Sequence, residues 1–203
     1  MKSRMAGIVI VISVCVVLAA GIATVYYWTA DETVRIQGQW SALNSGEDQW
    51  NWVNGKIVAH STNGESILAS SREYRNVTLS AIVGTTNREA SLAVRMQDAD
   101  NGYIIIFAPD GTERYDAGHM ALVKKENGQE TTIGYYRGRV FSSIGQRAKV
   151  TVIARGPWLE VQLVGVTVMR VKDATFTSGY IGLRIYGDPD SPCDSTFSKV
   201  TFY

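Results

Sequence analysis

Short apolar runs separated by turn signals limit what this chain can fold into more than any other feature. Beyond Trp28, alternating and β-branched runs lie at 76–83, 90–97, 103–108, 148–154, 158–164 and 178–186. Pairs that favour tight hairpin turns recur along the chain, at Asn54-Gly55, Asn63-Gly64, Asn101-Gly102, Asp110-Gly111, Asn127-Gly128 and Gly156-Pro157. No stretch beyond Trp28 keeps the spacing of an amphipathic helix. About a dozen hairpin-linked strands without helices must bury their apolar faces against one another, which predicts an all-β, two-sheet antiparallel sandwich.

The first residues form a separate apolar segment. Residues 5–27 are a run of 23 almost wholly apolar positions, long enough as a helix to cross about 30 Å of hydrocarbon. Lys2 and Arg4 precede the run, and Tyr26, Tyr27 and Trp28 end it, which predicts a cytoplasmic N-terminus. We therefore expect a cytoplasmic stub (1–4), a single transmembrane helix (5–28), a linker (29–36) and an extracytoplasmic domain (37–203) at the cell membrane. The alternative is a signal peptide cleaved near residues 19–23.

Charge and cysteine content exclude several classes of function. The whole chain has 20 basic and 19 acidic residues, so removing Lys2 and Arg4 leaves a domain with 18 against 19. This balance predicts no basic surface for nucleic acid. Cys15 lies in the apolar run and Cys193 is the domain's only cysteine, so the domain has neither an internal disulfide nor a thiolate zinc site.

The order of motifs resembles a known superfamily. The motifs are Trp50-Asn51-Trp52, Tyr74-Arg75-Asn76-Val77, Leu92-Ala93-Val94-Arg95-Met96, Trp158-Leu159-Glu160-Val161, Gly179-Tyr180-Ile181-Gly182-Leu183-Arg184 and Phe197-Ser198-Lys199-Val200. Over roughly residues 37–203 the chain resembles the concanavalin A-like lectin/glucanase superfamily, and within it laminin G-like and 3-keto-disaccharide hydrolase-type domains. The resemblance implies a jelly roll whose larger sheet is curved and holds sugars on its open face. Family 16 glycoside hydrolases share this sandwich.

The sequence assigns no catalytic residue. Family 16 enzymes carry a Glu-x-Asp-x-x-Glu string that is missing here, and the nearest carboxylates are Glu113, Glu126 with Glu130, and Glu160. Glycosidases need two carboxyl groups across the scissile bond. No such pair is evident, and the two histidines, His60 and His119, stand alone. Whether the chain is an enzyme stays open at this point, and no cofactor is expected.

Strand alternation predicts which polar side chains face outward. If Leu92, Val94 and Met96 face the core, Arg95 faces the open side, and the same argument applies to the strands around residues 160 and 184. Trp158, beside a turn, is expected to be exposed. The predicted ligand-binding residues form an open groove suited to a carbohydrate, which bears Arg95, Tyr103, Glu160, Gln162, Arg184 and Tyr186. Trp158 is a further ligand-binding candidate, and Tyr135 and Tyr136 are secondary candidates. The alternative is an ordinary solvated sheet face.

One loop is a candidate calcium site. Asp188, Asp190 and Asp194 place three carboxylates within seven residues, and calcium prefers oxygen ligands. Laminin G-like domains often hold calcium in loops, so the resemblance supports a structural calcium ion. The alternative is a turn defined by its Asp-Pro and Ser-Pro pairs.

Three functional hypotheses follow. The first is a membrane-anchored extracytoplasmic module that recognises a carbohydrate or another component of the cell envelope without cleaving it. The second is a glycoside hydrolase acting on extracellular or surface glycans. The third is a structural, protein-binding module.

Overall fold

Every regular element in the described part of the chain is a β-strand. A computed structural model describes residues 40–43, 50–85, 89–108, 119–140 and 146–203. The strands are β1 (Trp40–Ala42), β2 (Trp50–Val53), β3 (Lys56–Ser61), β4 (Gly64–Glu73), β5 (Val77–Thr85), β6 (Glu89–Asp98), β7 (Asn101–Ala108), β8 (His119–Glu126), β9 (Gln129–Tyr136), β10 (Arg147–Arg155), β11 (Trp158–Leu163), β12 (Val166–Lys172), β13 (Tyr180–Gly187) and β14 (Cys193–Phe202). The six runs predicted as strands are all observed, as β5, β6, β7, β10, β11 and β13.

The strands form two antiparallel sheets of seven. Sheet A has the order β1-β4-β13-β6-β7-β8-β9, and sheet B has the order β12-β11-β10-β5-β14-β3-β2. The predicted all-β, two-sheet sandwich is therefore confirmed. The predicted stub, transmembrane helix and linker lie outside the described residues. Within the residues that the structure does describe, no helix has the length and apolarity needed to cross a bilayer.

Several tight turns lie where the sequence predicts them. Asn54-Gly55 and Asn127-Gly128 form two-residue hairpin loops with positive φ at both positions, 50° and 73° in the first and 52° and 77° in the second. Gly156, at φ 53°, precedes Pro157 in the loop between β10 and β11. Asn101-Gly102 differs, because it lies inside β7 rather than in a turn. Asp110-Gly111 lies outside the described residues.

The main core lies between the two sheets. Leu68, Leu183, Leu92, Ile105 and Leu122 are register partners across sheet A and are almost completely buried. Opposite them lie inward side chains of sheet B, where Trp50 packs on Phe197 with ring centroids 6.0 Å apart. The indole of Trp50 donates a 2.8 Å hydrogen bond to Ser66 Oγ of sheet A. Trp40 and Trp50 are buried, and Trp52 is half-buried.

The outer face of sheet A, which points away from sheet B, is concave. Lys125 Nζ in β8 lies 2.8 Å from Glu65 Oε2 in β4, although three strands separate β4 from β8. On a flat sheet these strands would lie about 19 Å apart, at about 4.8 Å per strand. Arg184 in β13 likewise reaches Glu130 in β9. Only a strongly curved sheet brings these side chains together, so the outer face of sheet A forms a hollow.

The floor of this hollow is a second apolar cluster. It consists of buried side chains from four strands, namely Ile67, Ala69, Ala93, Met96, Ile104, Ile106, Ala121 and Val123. Each of them is at most 1% exposed. Gly182 lies among them, since a Cβ at this position would approach Met96 Sδ to 2.9 Å. Sheet A therefore buries both of its faces, whereas the strands of sheet B alternate between buried and more exposed positions.

Candidate functional site

The centre of the hollow in sheet A is one arginine bound by three carboxylates. Arg184 Nη1 lies 3.1 Å from Glu89 Oε2, Nη2 lies 3.4 Å from Glu130 Oε1, and Nε forms a short contact with Glu65 Oε1. The three carboxylates come from β6, β9 and β4, and Arg184 comes from β13. The Arg184 side chain is 4% exposed. A planar guanidinium thus fixes three carboxylates around itself.

Lys125 extends this network to the far end of the hollow. Its ammonium group contacts Glu65 Oε2 at 2.8 Å, the Ala99 carbonyl at 2.9 Å and Asp100 Oδ1 at 3.4 Å. Burial would raise the pKa of Glu65, but the charges and hydrogen bonds of Arg184 and Lys125 outweigh it and hold that pKa below its ordinary value. The pKa of Arg184 is raised, because its carboxylate neighbours outweigh the effect of burial. Glu65 and Arg184 are therefore charged at neutral pH.

Aromatic side chains lie beside the network. Tyr186, 40% exposed, follows Arg184 on β13 and is the register partner of both Glu65 and Glu89. The Arg184 guanidinium lies 5.9 Å from the Tyr186 ring centroid. On β9, Tyr135 shares a 3.0 Å hydrogen bond with His119 Nδ1. The hollow therefore has an exposed phenol ring at its rim next to fixed carboxylate acceptors, a combination suited to the C–H faces and hydroxyls of a sugar.

Two of the predicted ligand-binding residues, Arg184 and Tyr186, lie together in this hollow. Tyr186 is exposed as predicted, whereas Arg184 points to the outer face but is buried beneath its carboxylate partners. The secondary candidate Tyr135 belongs to the same face, because its register partner is the floor residue Ala121. The expected open groove is thus lined by acidic side chains above a shielded floor.

The prediction that Arg95 faces the open side is wrong. A bulge interrupts the pairing of β6 with β7 after Val94, and Arg95 adopts a left-handed φ of 54°. The bulge inverts the alternation, so Met96 joins the outer floor while Arg95 is completely buried. Its guanidinium donates to the carbonyls of Arg75, Gly156 and Phe176 at 2.7–3.3 Å. Arg95 thus ties three loops together.

Tyr103 is also buried, contrary to its predicted place in an open groove. Its hydroxyl donates a 2.5 Å hydrogen bond to Asp173 Oδ1 and accepts one of 3.1 Å from the Phe176 amide. Burial and the hydrogen bond to Asp173 raise the pKa of Tyr103 to about 12. The pKa of Asp173 is lowered, because this hydrogen bond and those from Thr175 outweigh the effect of burial. Tyr103 therefore stays protonated and anchors the loop between β12 and β13.

The remaining predicted binding residues lie on the other side of the sandwich. Trp158, Glu160 and Gln162 alternate along the outer face of β11 in sheet B. Trp158 is 39% exposed, as predicted, and the Arg170 guanidinium lies 4.5 Å from its ring centroid. Glu160 Oε1 accepts hydrogen bonds from Gln162 (2.8 Å) and Thr167 (2.7 Å), which hold the pKa of Glu160 below its ordinary value. The seven predicted binding residues therefore do not form one groove.

The three aspartates of the predicted calcium loop do not converge. Asp188 pairs with Ser191 through backbone hydrogen bonds of 3.1 Å in both directions, forming a tight turn with Asp190 at its tip. Asp194 lies on β14 and binds His60 Nδ1 on β3 at 2.7 Å. Among the residues that the structure describes, no group of three His, Cys, Asp or Glu side chains is placed to hold a metal. The structural calcium ion therefore stays a prediction, and the three aspartates are not placed to bind it together.

The balanced net charge predicted that the domain has no basic surface, and this prediction is wrong. Seven basic side chains lie on the outer face of sheet B, namely Lys56, Arg147, Lys149, Arg155, Arg170, Lys172 and Lys199. The same face carries only two acidic side chains in the described strands, Glu160 and Asp194. Net charge conceals this arrangement, because the fold gathers carboxylates in the hollow and cations on the opposite side. The absence of nucleic-acid binding itself stays a prediction.

The fold is shared with several solved structures. It resembles carbohydrate binding module CBM66 from Bacillus subtilis (TM-score 0.67, 20% identity, 81% of this chain and 94% of that chain). It also resembles a putative glycosyl hydrolase from Parabacteroides distasonis (0.57, 16%, 81% and 98%) and a Bacillus subtilis protein of unknown function with a galectin-like fold (0.60, 9%, 81% and 88%). No protein-family model and no curated protein matches the chain.

At these identities the likeness defines the fold alone. The chain shares a two-sheet antiparallel β-sandwich with a carbohydrate binding module, a putative glycosyl hydrolase and a protein with a galectin-like fold. The expected two-sheet antiparallel sandwich is confirmed at this level, and the resemblance to the concanavalin A-like superfamily stays a prediction. The finer resemblance to laminin G-like and 3-keto-disaccharide hydrolase-type domains stays a prediction.

The sequence did not point to Glu65, Glu89 and Lys125 as parts of the hollow. Each lies near the end of its strand, and no motif joins them to Arg184. Only the pairing of β4 and β6 on either side of β13, together with the curvature of the sheet, brings them to the same guanidinium. From the sequence, Glu130 was grouped with Glu126 as a candidate carboxylate pair, whereas in the structure it forms an ion pair with Arg184.

Proposed function

We propose that this chain is a carbohydrate-binding β-sandwich module whose ligand sits at the rim of the hollow in sheet A. The observation that carries the proposal is the placement of exposed Tyr186 between Glu65 and Glu89, whose carboxylates Arg184 holds fixed. A tyrosine ring stacks on a sugar face, and carboxylate oxygens accept hydrogen bonds from sugar hydroxyls. Preformed acceptors of this kind lower the entropic cost of binding.

The solved structures of similar fold agree with this proposal. One of them is a carbohydrate-binding module and matches over 94% of its length. The hollow lies on the outer face of a curved sheet, where the resemblance to concanavalin A-like proteins also expects sugars.

Glycan-array binding by the full-length protein, followed by calorimetry with the best ligand, tests the proposal. Tyr186→Ala should weaken sugar binding about tenfold or more, because stacking on the exposed ring is lost. Tyr203→Ala is the matched control, since Tyr203 is an 80% exposed tyrosine at the end of the chain, and it should leave affinity unchanged. Equal affinities of the two variants, or capture of proteins without any sugar, would contradict the proposed site.

A glycoside hydrolase is the second candidate, and one observation favours it. Two glutamates of the hollow, Glu89 and Glu130, bind the two terminal nitrogens of the same guanidinium, so their bound oxygens lie within about 9 Å of each other. This limit is compatible with the carboxylate spacing of an inverting glycosidase. Against it, the Arg184 guanidinium lies between the two carboxylates, where the scissile bond would have to sit. Release of reducing ends that Glu89→Gln and Glu130→Gln abolish would establish the enzyme.

The location of the domain is a further part of the proposal. The apolar segment 5–28, with basic residues before it, supports a single membrane span that leaves the domain outside the cytoplasm. Protease added to intact cells should then digest the C-terminal domain. Protection of the domain in intact cells, or a mature chain that begins near residue 24, would contradict the anchored arrangement.

A further inference from the structure

The outer face of sheet B carries more cations than carboxylates, and Glu160, the register partner of Arg170, is the acidic residue nearest to the cations around Trp158. Lys172 and Arg155 are the two register partners of Trp158, and Arg170 stacks on its ring, so three cations surround one exposed indole. Within the strands that the structure describes, no carboxylate oxygen lies within 4.0 Å of these three or of Lys56, Arg147, Lys149 and Lys199. In sheet A, by contrast, Lys124, Lys125 and Arg184 all form ion pairs.

Neutral polar side chains separate two groups of these cations. The first group surrounds Trp158 at one corner of the sheet, and the second, from β10, β14 and β3, lies toward the other end. Between them, Gln162, Thr151, Ser80 and Thr201 form one row of register partners across four strands. Thr151 donates to Ser80 Oγ at 3.0 Å. The face therefore alternates positive charge with hydrogen-bonding groups.

We propose that this face binds a linear acidic polysaccharide, independently of the hollow in sheet A. The carboxylates or sulfates of the polysaccharide would pair with the cations of the face, and its hydroxyls would form hydrogen bonds with the row of neutral polar side chains. One sugar ring of the polysaccharide would stack on Trp158. Glu160, the register partner of Arg170, accepts hydrogen bonds, so hydroxyls of the polysaccharide rather than its acidic groups would face this carboxylate. Single-stranded nucleic acid is bound by series of stacking aromatics. In the described part of sheet B the exposed aromatic residues are only Trp158 and, just after β14 and bonded to Thr78 of β5, Tyr203.

Binding of the full-length protein in detergent to polygalacturonate, a linear polyuronate, tests this surface. The triple variant Arg155→Gln, Arg170→Gln, Lys172→Gln should bind at least tenfold more weakly. The control triple variant Arg72→Gln, Arg137→Gln, Arg139→Gln removes the same charge from exposed positions in or after strands of sheet A and should change affinity less than threefold. Affinity for polygalacturonate should fall steeply with salt, because binding releases counterions. Neutral dextran should not compete.

A second variant separates sugar recognition from general attraction of polyanions. Trp158→Ala should weaken polygalacturonate binding several-fold, because stacking is lost while every cation remains. Unchanged affinity in this variant, or equal loss in the two triple variants, would overturn the proposal. Tighter binding of single-stranded DNA, or of phosphatidylglycerol vesicles through this face without polygalacturonate binding, would replace the acidic polysaccharide as partner. None of these results depends on the site at Tyr186.

Discussion

Arg95 illustrates at the scale of one residue how a buried cation can stabilise a loop-rich end of a sandwich. It has no carboxylate partner among the described residues, and burial lowers its pKa. Its four hydrogen bonds all go to backbone carbonyls, in the loops after β4, β10 and β12. A guanidinium suits this position because its planar fork donates in several directions at once.

Replacing Arg95 with lysine keeps the charge but removes the fork. We expect Arg95→Lys to lower the free energy of unfolding by about 2 to 4 kcal/mol, because buried carbonyls lose their donors. Arg155→Lys, at an exposed arginine that ends β10, should change it by less than about 0.5 kcal/mol. Urea denaturation followed by far-ultraviolet circular dichroism measures both. Equal stability of the Arg95 variant and the native chain would mean that the three loops hold without this clamp.

At the scale of elements, the hairpin between β11 and β12 has a residue poorly suited to its turn. Val164 and Gly165 form the loop, with φ of 51° and 84°, and a β-branched residue is strained at positive φ. The two other hairpins with this geometry carry Asn-Gly. Val164→Asn should therefore raise the free energy of unfolding by about 1 kcal/mol and Tm by about 2 to 4 °C.

The neighbouring valine provides the comparison for this hairpin. Val166 is also exposed, at 65% against 71% for Val164, but it begins strand β12. Val166→Asn should leave Tm unchanged or lower it, because asparagine has low strand propensity. Thermal denaturation of the two variants measures the difference. If both substitutions shift Tm equally, surface hydrophobicity rather than turn strain would explain the effect.

The elements also indicate how far the sequence alone could predict this molecule. Period-two runs and Asn-Gly pairs located the strands, because both follow from local geometry. The alternation of side chains along β11 correctly predicted that Glu160 and Gln162 face outward, because the pairing of β11 with β10 has no bulge. Alternation failed at Arg95, because nothing local marks the bulge. Membership of the two sheets depends on long-range pairing, which is why Arg184 and Glu160 were expected in one groove and lie on opposite sides.

At the scale of the whole molecule, the fold separates charges that nearly cancel in the sequence. Carboxylates gather in the hollow of sheet A, where Arg184 and Lys125 hold them, whereas cations outnumber carboxylates on the outer face of sheet B. The pKa of Glu65 is lower than its ordinary 4.5 in the folded chain, and that of Asp173 is lower than its ordinary 3.8. A carboxyl group with a lowered folded pKa stabilises the fold above its unfolded pKa, and this contribution is lost as the pH falls through the folded pKa.

The molecule should therefore lose stability in acid from about pH 5 downward, and the hollow should account for part of the loss. Glu65→Gln removes one of the groups responsible. We expect this variant to be less stable at pH 7, because Arg184 and Lys125 lose a charged partner, but to show a flatter fall in Tm between pH 5 and pH 3. Asp190→Asn, at an exposed turn, should keep the native slope. Calorimetry of the native chain and the two variants between pH 5 and pH 3 measures these slopes. Parallel curves of Tm against pH would mean that the ion network of the hollow contributes nothing to acid sensitivity.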